Sequence, residues 1–268
     1  MVSIDVFDND KNDELLIRQY KTYRFNGSPL ADKFIPRPYI YLLFHFKNRP
    51  LIVAEPPIKL ESFFVAPIVP KAFTLKFQGE MDTLAIACKA TVFSRLFEVD
   101  MSPVSKRSIN LPQNIFLPLW REMATLNTTQ QRIAHFQNLI TSVQKTPYRH
   151  DPVDVLYDKI IDKSITTPVK VIMQECHASK STLLRKFVKR TGVSPKTLAR
   201  IVRFDYLWTK IKDENAIDYQ SLVFEGNYFD QSHFINDFKE IMGETPGYFF
   251  NRNLNIVKMF SGSPVGNQ

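Results

Sequence analysis

The sequence predicts an α+β multidomain protein, with an N-terminal antiparallel β-barrel that has helices at its C-terminal end, followed by a C-terminal all-α domain. Three observations support this class. Short β-branched and aromatic runs recur up to about residue 111, apolar residues at helical spacing follow, and one helical unit occurs twice near the C-terminus. The polar segment 145–152 holds two prolines and is the predicted linker between domains at residues 1–146 and 152–253.

Five short runs predict the strands of the first domain. They lie at Tyr39–Phe46, Leu51–Ala54, Ser62–Val69, Phe73–Phe77 and Leu84–Cys88. Prolines and one glycine separate them, as expected where strands end. Strands of this number and spacing favour a small antiparallel barrel or a sandwich. Their largely apolar composition leaves the strand ends open.

Two helices are predicted between the strands and the linker. We expect Pro118 to open the first, and Thr128 with Gln131 to form a capping box at the start of the second. The second helix carries an apolar stripe at helical spacing, formed by Ile133, Phe136, Leu139, Ile140 and Val143. This stripe either packs on its own barrel or forms a dimer contact, and the sequence leaves both interpretations open.

The second domain repeats itself at an offset of 51 residues, as from Phe187 to Phe238. Seven positions agree in this register. They pair Ser181 with Ser232, Leu183 with Phe234, Leu184 with Ile235, Phe187 with Phe238, Gly192 with Gly243, Ser194 with Thr245 and Pro195 with Pro246. A repeat of this kind indicates a duplicated supersecondary unit. We name the copies unit 1 (residues 167–195) and unit 2 (residues 218–246).

Local signals predict a helix, a tight turn and a second helix in each unit. The first helices are expected at Val169–Cys176, with Thr167 as cap and Pro168 as first residue, and at Tyr219–Gly226, capped by Asp218. The turns fall at 176–178 and at 227–229, where Asn227 tolerates a left-handed backbone. The second helices are expected to start at Ser179 and Asp230 and to end at Gly192 and Gly243. This is the helix-turn-helix pattern, whose second helix enters the DNA major groove.

The charge of this region favours a nucleic-acid partner. The second helix of unit 1 is expected to present Ser181, Thr182, Arg185 and Lys189, which are base-reading and phosphate-binding types. Between residues 180 and 212 there are ten Lys or Arg and one acid, while the whole chain has a net charge of +8. A surface of one sign is typical of a phosphate footprint. Two helical hairpins of a bundle without DNA binding are the alternative.

Two stretches resemble the helix-turn-helix units of the AraC/XylS family of transcriptional regulators. They are "SKSTLLRKFVKRTGVSP" (179–195) and "NYFDQSHFINDFKEIMGETP" (227–246), and the second contains Asp-Gln-Ser-His-Phe, Phe-Lys and Gly-x-Thr-Pro. The resemblance covers roughly residues 154–250. It implies two units joined by a long helix, here 195–212, that read adjacent major-groove segments. The N-terminal domain is similar in outline to the cupin-like effector and dimerisation domains of such regulators.

The resemblance also implies site residues and partners. Its base-contacting positions fall on Ser181, Leu184 and Arg185 in unit 1, and on Gln231, Ser232, Ile235 and Asn236 in unit 2. With the exposed polar and basic residues, the candidate DNA-binding set is Ser181, Thr182, Leu184, Arg185, Lys189, Gln231, Ser232, Ile235, Asn236 and Lys239. The implied partners are double-stranded DNA, a small-molecule effector, a second copy of the chain and RNA polymerase.

Unit 2 departs from the family pattern in three ways. The family often has Arg where this chain has Asn236, and usually Gly where it has Asn227. The segment 213–250 holds eight acids and one Lys. We therefore expect unit 1 to supply most of the affinity for DNA. A ligand-binding or protein-interaction module whose helical domain binds DNA weakly or not at all is the rival prediction.

The remaining chemistry argues against an enzyme. His45 is the only histidine among the β-rich runs, and we interpret it as a hydrogen-bonded structural residue. The sequence predicts no catalytic residue, metal site or cofactor. Phe44, Phe46, Phe64 and Phe77 either line an effector pocket or fill the core. The two cysteines, the lack of a secretory pattern and the lack of a long apolar run favour a cytoplasmic protein without a membrane partner.

Overall fold

A computed structural model describes residues 2–7, 15–102, 107–144, 146–176, 179–211, 218–254 and 257–258. Its strands are β1 (Val2–Phe7), β2 (Ile17–Phe25), β3 (Leu30–Phe34), β4 (Ile40–His45), β5 (Leu51–Ile52), β6 (Ile58–Lys59), β7 (Phe63–Ala66), β8 (Phe73–Phe77) and β9 (Met81–Cys88). Its helices are α1 (Ala90–Leu96), α2 (Gln113–Thr125), α3 (Thr129–Val143), α4 (Pro152–Lys163), α5 (Val169–Gln174), α6 (Lys180–Thr191), α7 (Pro195–Ile211), α8 (Tyr219–Glu225), α9 (Gln231–Met242) and α10 (Pro246–Phe250). Of the predicted features, residues 145, 177–178 and 212–217 lie outside the described ranges.

The strands form two antiparallel sheets. One has the order β1-β2-β9-β4-β7, and the other has the order β3-β8-β5-β6. The sheets face each other across buried apolar side chains, with Phe25, Phe64 and Met81 from the first sheet and Leu75 and Phe77 from the second. The predicted α+β class, with antiparallel sheets before a helical region, is confirmed.

Strands β1 to β3 and the two-residue β6 were not predicted. The inner strand β2 shows why, because Tyr20, Lys21 and Thr22 are consecutive and all buried. A strand with one face in water alternates apolar and polar residues, and β2 breaks that pattern. The buried Lys21 also conceals it, because a lysine normally marks an exposed position.

The outer face of the five-stranded sheet packs against helices α1 to α3. The Phe44 ring of β4 lies 6.4 Å from the Phe116 ring of α2 and 6.2 Å from the Phe136 ring of α3. All five residues of the predicted stripe on α3 belong to this cluster or pack on it. The stripe therefore packs on its own sheet, and a dimer contact stays a prediction.

The start of α2 corrects one expectation. The helix begins at Gln113, and Pro118 lies inside it. An internal proline removes the amide that would bond the carbonyl four residues earlier, here that of Asn114. The helix tolerates this because its buried side, with Phe116 and Met123 fully covered, is held by the core. The capping box of α3 is confirmed, with both Thr128–Gln131 hydrogen bonds at 3.2 Å.

The core continues from the sheets into the helical region. The cluster that covers the five-stranded sheet also contains Leu156 of α4, Ile172 of α5 and Phe187 of α6. A further cluster gathers Trp208 of α7 with side chains of α8, α9 and α10. The two predicted domains thus share buried surface, and the boundary between them stays a prediction. Within the described ranges, no helix is long and apolar enough to cross a membrane.

Candidate nucleic-acid interface

Unit 1 consists of α5 and α6, as predicted in outline. Leu183 and Phe187 of α6 are buried one turn apart, and Gly192 ends the helix with a left-handed φ of 80°. The expected cap at Thr167 is wrong, because the N-cap of α5 is Pro168. The Thr167 amide instead donates to the carbonyl of Lys163 at 2.9 Å, so this residue still belongs to the turn after α4.

Unit 2 consists of α8 and α9, and its predicted caps are confirmed. The carboxylate of Asp218 accepts a hydrogen bond from the Gln220 amide at 2.9 Å. That of Asp230 accepts one from the His233 amide at 2.7 Å. The turn between the helices places Asn227 at a positive φ of 50°, and Gly243 ends α9 at a φ of 75°. The rings of Phe234 and Phe238 are buried beneath α9.

The candidate DNA-binding residues lie on the outer sides of α6 and α9. The exposed ones are Ser181, Thr182, Arg185, Lys189, Gln231, Ser232, Asn236 and Lys239. Leu184 and Ile235 are partly buried, and each directly follows a buried residue of its helix. Each helix therefore offers a polar surface above an apolar one, which is the form that a groove-binding helix needs. Whether these residues contact DNA stays a prediction.

Arg190 was counted among the basic residues of unit 1, yet it is only 8% exposed. Its guanidinium donates to both carboxylate oxygens of Asp151, at 2.9 and 2.8 Å, and to Asp154. It also donates to the carbonyl of Thr91 in α1. Arg190 thus fixes α6 against α1 and α4 and is not available to a phosphate.

Arg200 of α7 holds that helix to unit 2. Its guanidinium lies 2.7 Å from Asp237 and 2.8 Å from Glu240, both on α9. The hydrogen bond from Arg200 lowers the pKa of Glu240. Asp237 is buried and also accepts a hydrogen bond from the Tyr228 hydroxyl at 2.9 Å. The acid that follows Asn236 in the sequence therefore points inward and does not face the outer surface of α9.

These ion pairs change what the charge counts mean. Six cations of unit 1 and α7 are exposed and form no ion pair within the described ranges, namely Lys170, Lys180, Arg185, Lys186, Lys189 and Lys196. Four acids of unit 2 form ion pairs: Asp237 and Glu240 with Arg200, Glu225 with Lys210, and Glu244 with Lys33. The net negative charge of unit 2 therefore overstates the charge of its outer surface.

The N-terminal half holds the C-terminal ends of α6 and α9. The last carbonyls of an α-helix have no partner within the helix. The Met101 amide donates to the carbonyl of Lys189 in α6 at 2.8 Å, and the Ala72 amide donates to that of Ile241 in α9 at 2.8 Å. The Lys33 ammonium group donates to the carbonyl of Met242 at 2.5 Å. No local sequence signal indicates these contacts, because the partners lie far apart in the chain.

Ion pairs reinforce the contact at α9. Lys33 lies 2.6 Å from Glu244, which follows the end of the helix. Arg252 lies 2.9 Å from Asp32 of β3. Arg37 lies 2.9 Å from Asp205 of α7. The orientation of unit 2 relative to the sheets is thus fixed by charge as well as by main-chain hydrogen bonds.

A small apolar cavity of about 60 Å³ lies between the two sheets. Its walls include Tyr23, Phe34, Tyr41, Leu75, Phe77 and Met81. His45 also lines it, and the Nδ1 atom of that ring is 2.7 Å from the Thr83 hydroxyl. Burial, together with the charge of Arg49, lowers the pKa of His45 to about 3, so the ring is neutral.

The four phenylalanines that the sequence assigned to a pocket or to the core lie in two different places. Phe77 lines it, and Phe64 lies in the cluster between the sheets. Phe44 and Phe46 lie on the opposite side of the sheet, towards the helices, where they fill the core. The hydrogen bond of His45 agrees with its predicted structural role.

Comparison with known proteins finds one matching domain family and several similar solved structures. Residues 172–252 match the family described as a helix-turn-helix domain, which is of the AraC type. The curated proteins give no match. A structure of ToxT from Vibrio cholerae is 14% identical over 87% of this chain and 97% of its own, with a TM-score of 0.46.

Two further solved structures are similar to this chain. ToxT from Vibrio cholerae bound to (E)-4-(8-methylnaphthalen-1-yl)but-3-enoic acid is 13% identical over 93% of this chain and 98% of its own, with a TM-score of 0.47. The AraC-like transcriptional activator CuxR is 12% identical over 79% of this chain and 87% of its own, with a TM-score of 0.25. The family match begins within α5 and ends two residues after α10, so it includes α6 and α9. The chain therefore contains a helix-turn-helix domain of the AraC type at residues 172–252.

Proposed function

We propose that this protein is a sequence-specific DNA-binding transcription regulator whose helices α6 and α9 enter adjacent segments of the major groove. The observation that carries the proposal is the duplicated unit within the matched domain. Each copy buries its apolar residues and leaves its polar residues exposed on the second helix. The exposed cations of unit 1 without ion pairs supply the charge that phosphate contacts need.

The residue types indicate how the two kinds of contact are divided. Lysine side chains such as Lys189 would contact phosphates and position the protein on the duplex. Arg185 can bind a guanine edge with two hydrogen bonds, and Gln231 and Asn236 can bind adenine edges in the same way. Ser181 and Ser232 can bind several bases, so they add contacts with less selectivity.

Unit 1 would supply most of the affinity. The argument for this depends on the number of exposed cations. The sum of charges is a poorer guide, because most acids of unit 2 form ion pairs within the fold. On α6 the exposed cations are Lys180, Arg185, Lys186 and Lys189, whereas on α9 the exposed cation is Lys239. Phosphate contacts dominate affinity, so the helix with more free cations should bind more strongly.

A binding titration tests the proposal. Duplexes would be selected from a random DNA pool by the full-length protein, and affinity would be measured at several salt concentrations. We expect affinity to fall steeply with salt, with a log–log slope of about 0.9 for each phosphate contacted. Arg185→Ala should cost about 1–3 kcal/mol of binding free energy, and Asn236→Ala should cost less.

Arg121 provides a matched control, because it is an exposed arginine on α2 in the N-terminal half. Arg121→Ala should leave DNA affinity unchanged. A flat salt response would favour the rival function, a ligand-binding or protein-interaction module. If Asn236→Ala costs as much as Arg185→Ala or more, the predicted asymmetry between the units is wrong.

A small, mostly apolar effector would bind in the cavity between the sheets. Its apolar walls and the neutral His45 ring support this choice over a charged ligand. Xenon is a suitable probe, because it is apolar and small enough for a cavity of this volume. It should raise the melting temperature of the full-length protein, and Ala85→Val should abolish the rise, because Ala85 also lines the cavity and a larger side chain narrows it. An equal rise in both proteins would place the ligand elsewhere.

A further inference from the structure

Three aromatic side chains of the helical region are unusually exposed. Phe229 is 91% exposed, Phe224 is 87% exposed and Tyr248 is 71% exposed. Phe229 is the residue directly before Asp230, the N-cap of α9. It therefore stands at the end of the helix that enters the groove in a helix-turn-helix complex.

The turn before α9 explains why Phe229 points outward. Asn227 has a positive φ of 50° and redirects the chain after α8. Tyr228 then takes the inward position, where it is 8% exposed and donates its hydroxyl hydrogen to Asp237. Phe229 follows on the opposite side.

A phenylalanine at this position usually has a local partner. An apolar residue before the N-cap often packs on the fourth helical residue, which here is Phe234. The Phe234 ring is instead surrounded by those of Tyr228 at 5.5 Å, Tyr219 at 6.2 Å and Phe238 at 6.0 Å. With 91% of its surface in water, Phe229 does not form this contact. The fold of unit 2 therefore does not account for a phenylalanine at this position.

The surroundings of Phe229 indicate which group its ring contacts. The exposed Gln231 and Ser232 follow it in the first turn of α9, where the N-terminal residues of a recognition helix meet base edges. A phenyl ring cannot form a hydrogen bond with a base edge. The apolar group that the major groove presents is the C5 methyl of thymine, and phenylalanine is among the side chains that contact it.

We infer that Phe229 contacts a thymine methyl group in the groove beneath α9 and thereby selects thymine at one position of the unit 2 half-site. This inference rests on the proposed function and adds a specificity residue to it. Unlike the hydrogen-bonding residues of α9, Phe229 would discriminate by a single methyl group.

Deoxyuridine tests this directly, because it differs from thymidine only by the missing methyl group. The probes are duplexes selected by the full-length protein, with each thymine of the unit 2 half-site replaced in turn. We expect the wild-type protein to lose about fourfold in affinity at one position, from about 0.8 kcal/mol for one buried methyl group. Phe229→Ala should bind the thymine duplex more weakly and show no further loss with deoxyuridine there.

Phe224→Ala is the matched control, since Phe224 is equally exposed but lies on α8. It should keep the full sensitivity to deoxyuridine. Phe229→Ala should also keep the wild-type melting temperature, because the removed ring packs on little.

Two results would overturn the inference while the proposed function stands. One is that Phe229→Ala binds the thymine duplex with wild-type affinity, which would mean that the ring contacts a protein partner and not DNA. The other is an equal deoxyuridine loss in wild type and variant. If the wild-type protein shows no salt-dependent binding and Arg185→Ala changes nothing, the proposed function fails and this inference fails with it.

Discussion

Arg190 and Lys189 are adjacent on α6, and the structure predicts opposite consequences for their replacement. Both were part of the basic stretch that suggested a phosphate footprint. Lys189 is exposed, whereas Arg190 lies at the junction of α1, α4 and α6. We therefore expect Arg190→Met to affect stability and Lys189→Met to affect DNA binding.

The magnitude for Arg190→Met follows from the partners left behind. Removing one member of a buried ion pair costs about 3–5 kcal/mol. Asp154 is 1% exposed but keeps Arg95 at 2.8 Å and the Tyr148 hydroxyl at 3.0 Å, which places the cost near the lower limit. A loss of about 3 kcal/mol corresponds to a fall in melting temperature of about 6–12 °C for a chain of this size.

The magnitude for Lys189→Met follows from counterion release. Loss of one phosphate contact should reduce the log–log salt slope by about 0.9, and stability should change by less than about 0.5 kcal/mol. Arg190→Met should keep the wild-type slope under conditions in which it is folded.

Calorimetry and salt-dependent DNA titration of the two variants provide the assay. The reasoning is refuted if Arg190→Met retains the wild-type melting temperature and lowers the salt slope. That outcome would mean that the guanidinium leaves its carboxylates and binds a phosphate.

Three further variants test the fold. His45 has a pKa of about 3 in the folded state, below its ordinary 6.5, so the unfolded chain alone binds the proton between these values. Stability should fall by about 1.4 kcal/mol per pH unit below 6.5, and denaturant titrations of His45→Gln should show a flatter pH profile. Gly243→Ala should cost about 1–2 kcal/mol from its left-handed backbone alone, because the added Cβ would meet only the Lys33 ammonium at 3.9 Å. Asp237→Asn should cost about 2 kcal/mol in the same measurement, since Arg200 and Tyr228 both bond the carboxylate; unchanged stability would show that neither bond matters.

The parts of the fold that depend on neighbours in sequence were predictable. Asp218 and Asp230 cap their helices through amides two and three residues away. Gly243 adopts the left-handed conformation that its position after a helix suggests. Such signals need only a few residues, and the repeat doubled them. The candidate DNA-binding residues could be placed for the same reason, because helical spacing determines which side of α6 and α9 stays exposed.

Features that depend on distant partners were not predictable. Arg190 bonds Thr91, which lies 99 residues away, and Arg200 bonds Asp237, which lies 37 residues away. A sum of charges counts these residues as surface because it contains no information about contacts. The correction is specific: Arg190 no longer counts among the cations of the phosphate footprint, and Asp237 is a structural acid.

The two main-chain hydrogen bonds that end α6 and α9 have a consequence for hybrid regulators. The donors are the amides of Met101 and Ala72, and an amide donates whatever side chain the residue carries, except in proline. For these two hydrogen bonds, exchange of the β-rich half for another is therefore limited by shape and much less by sequence. A foreign half that brings two amides to these points can replace both donors, and one with proline at either point leaves the carbonyl of Lys189 or Ile241 without its donor.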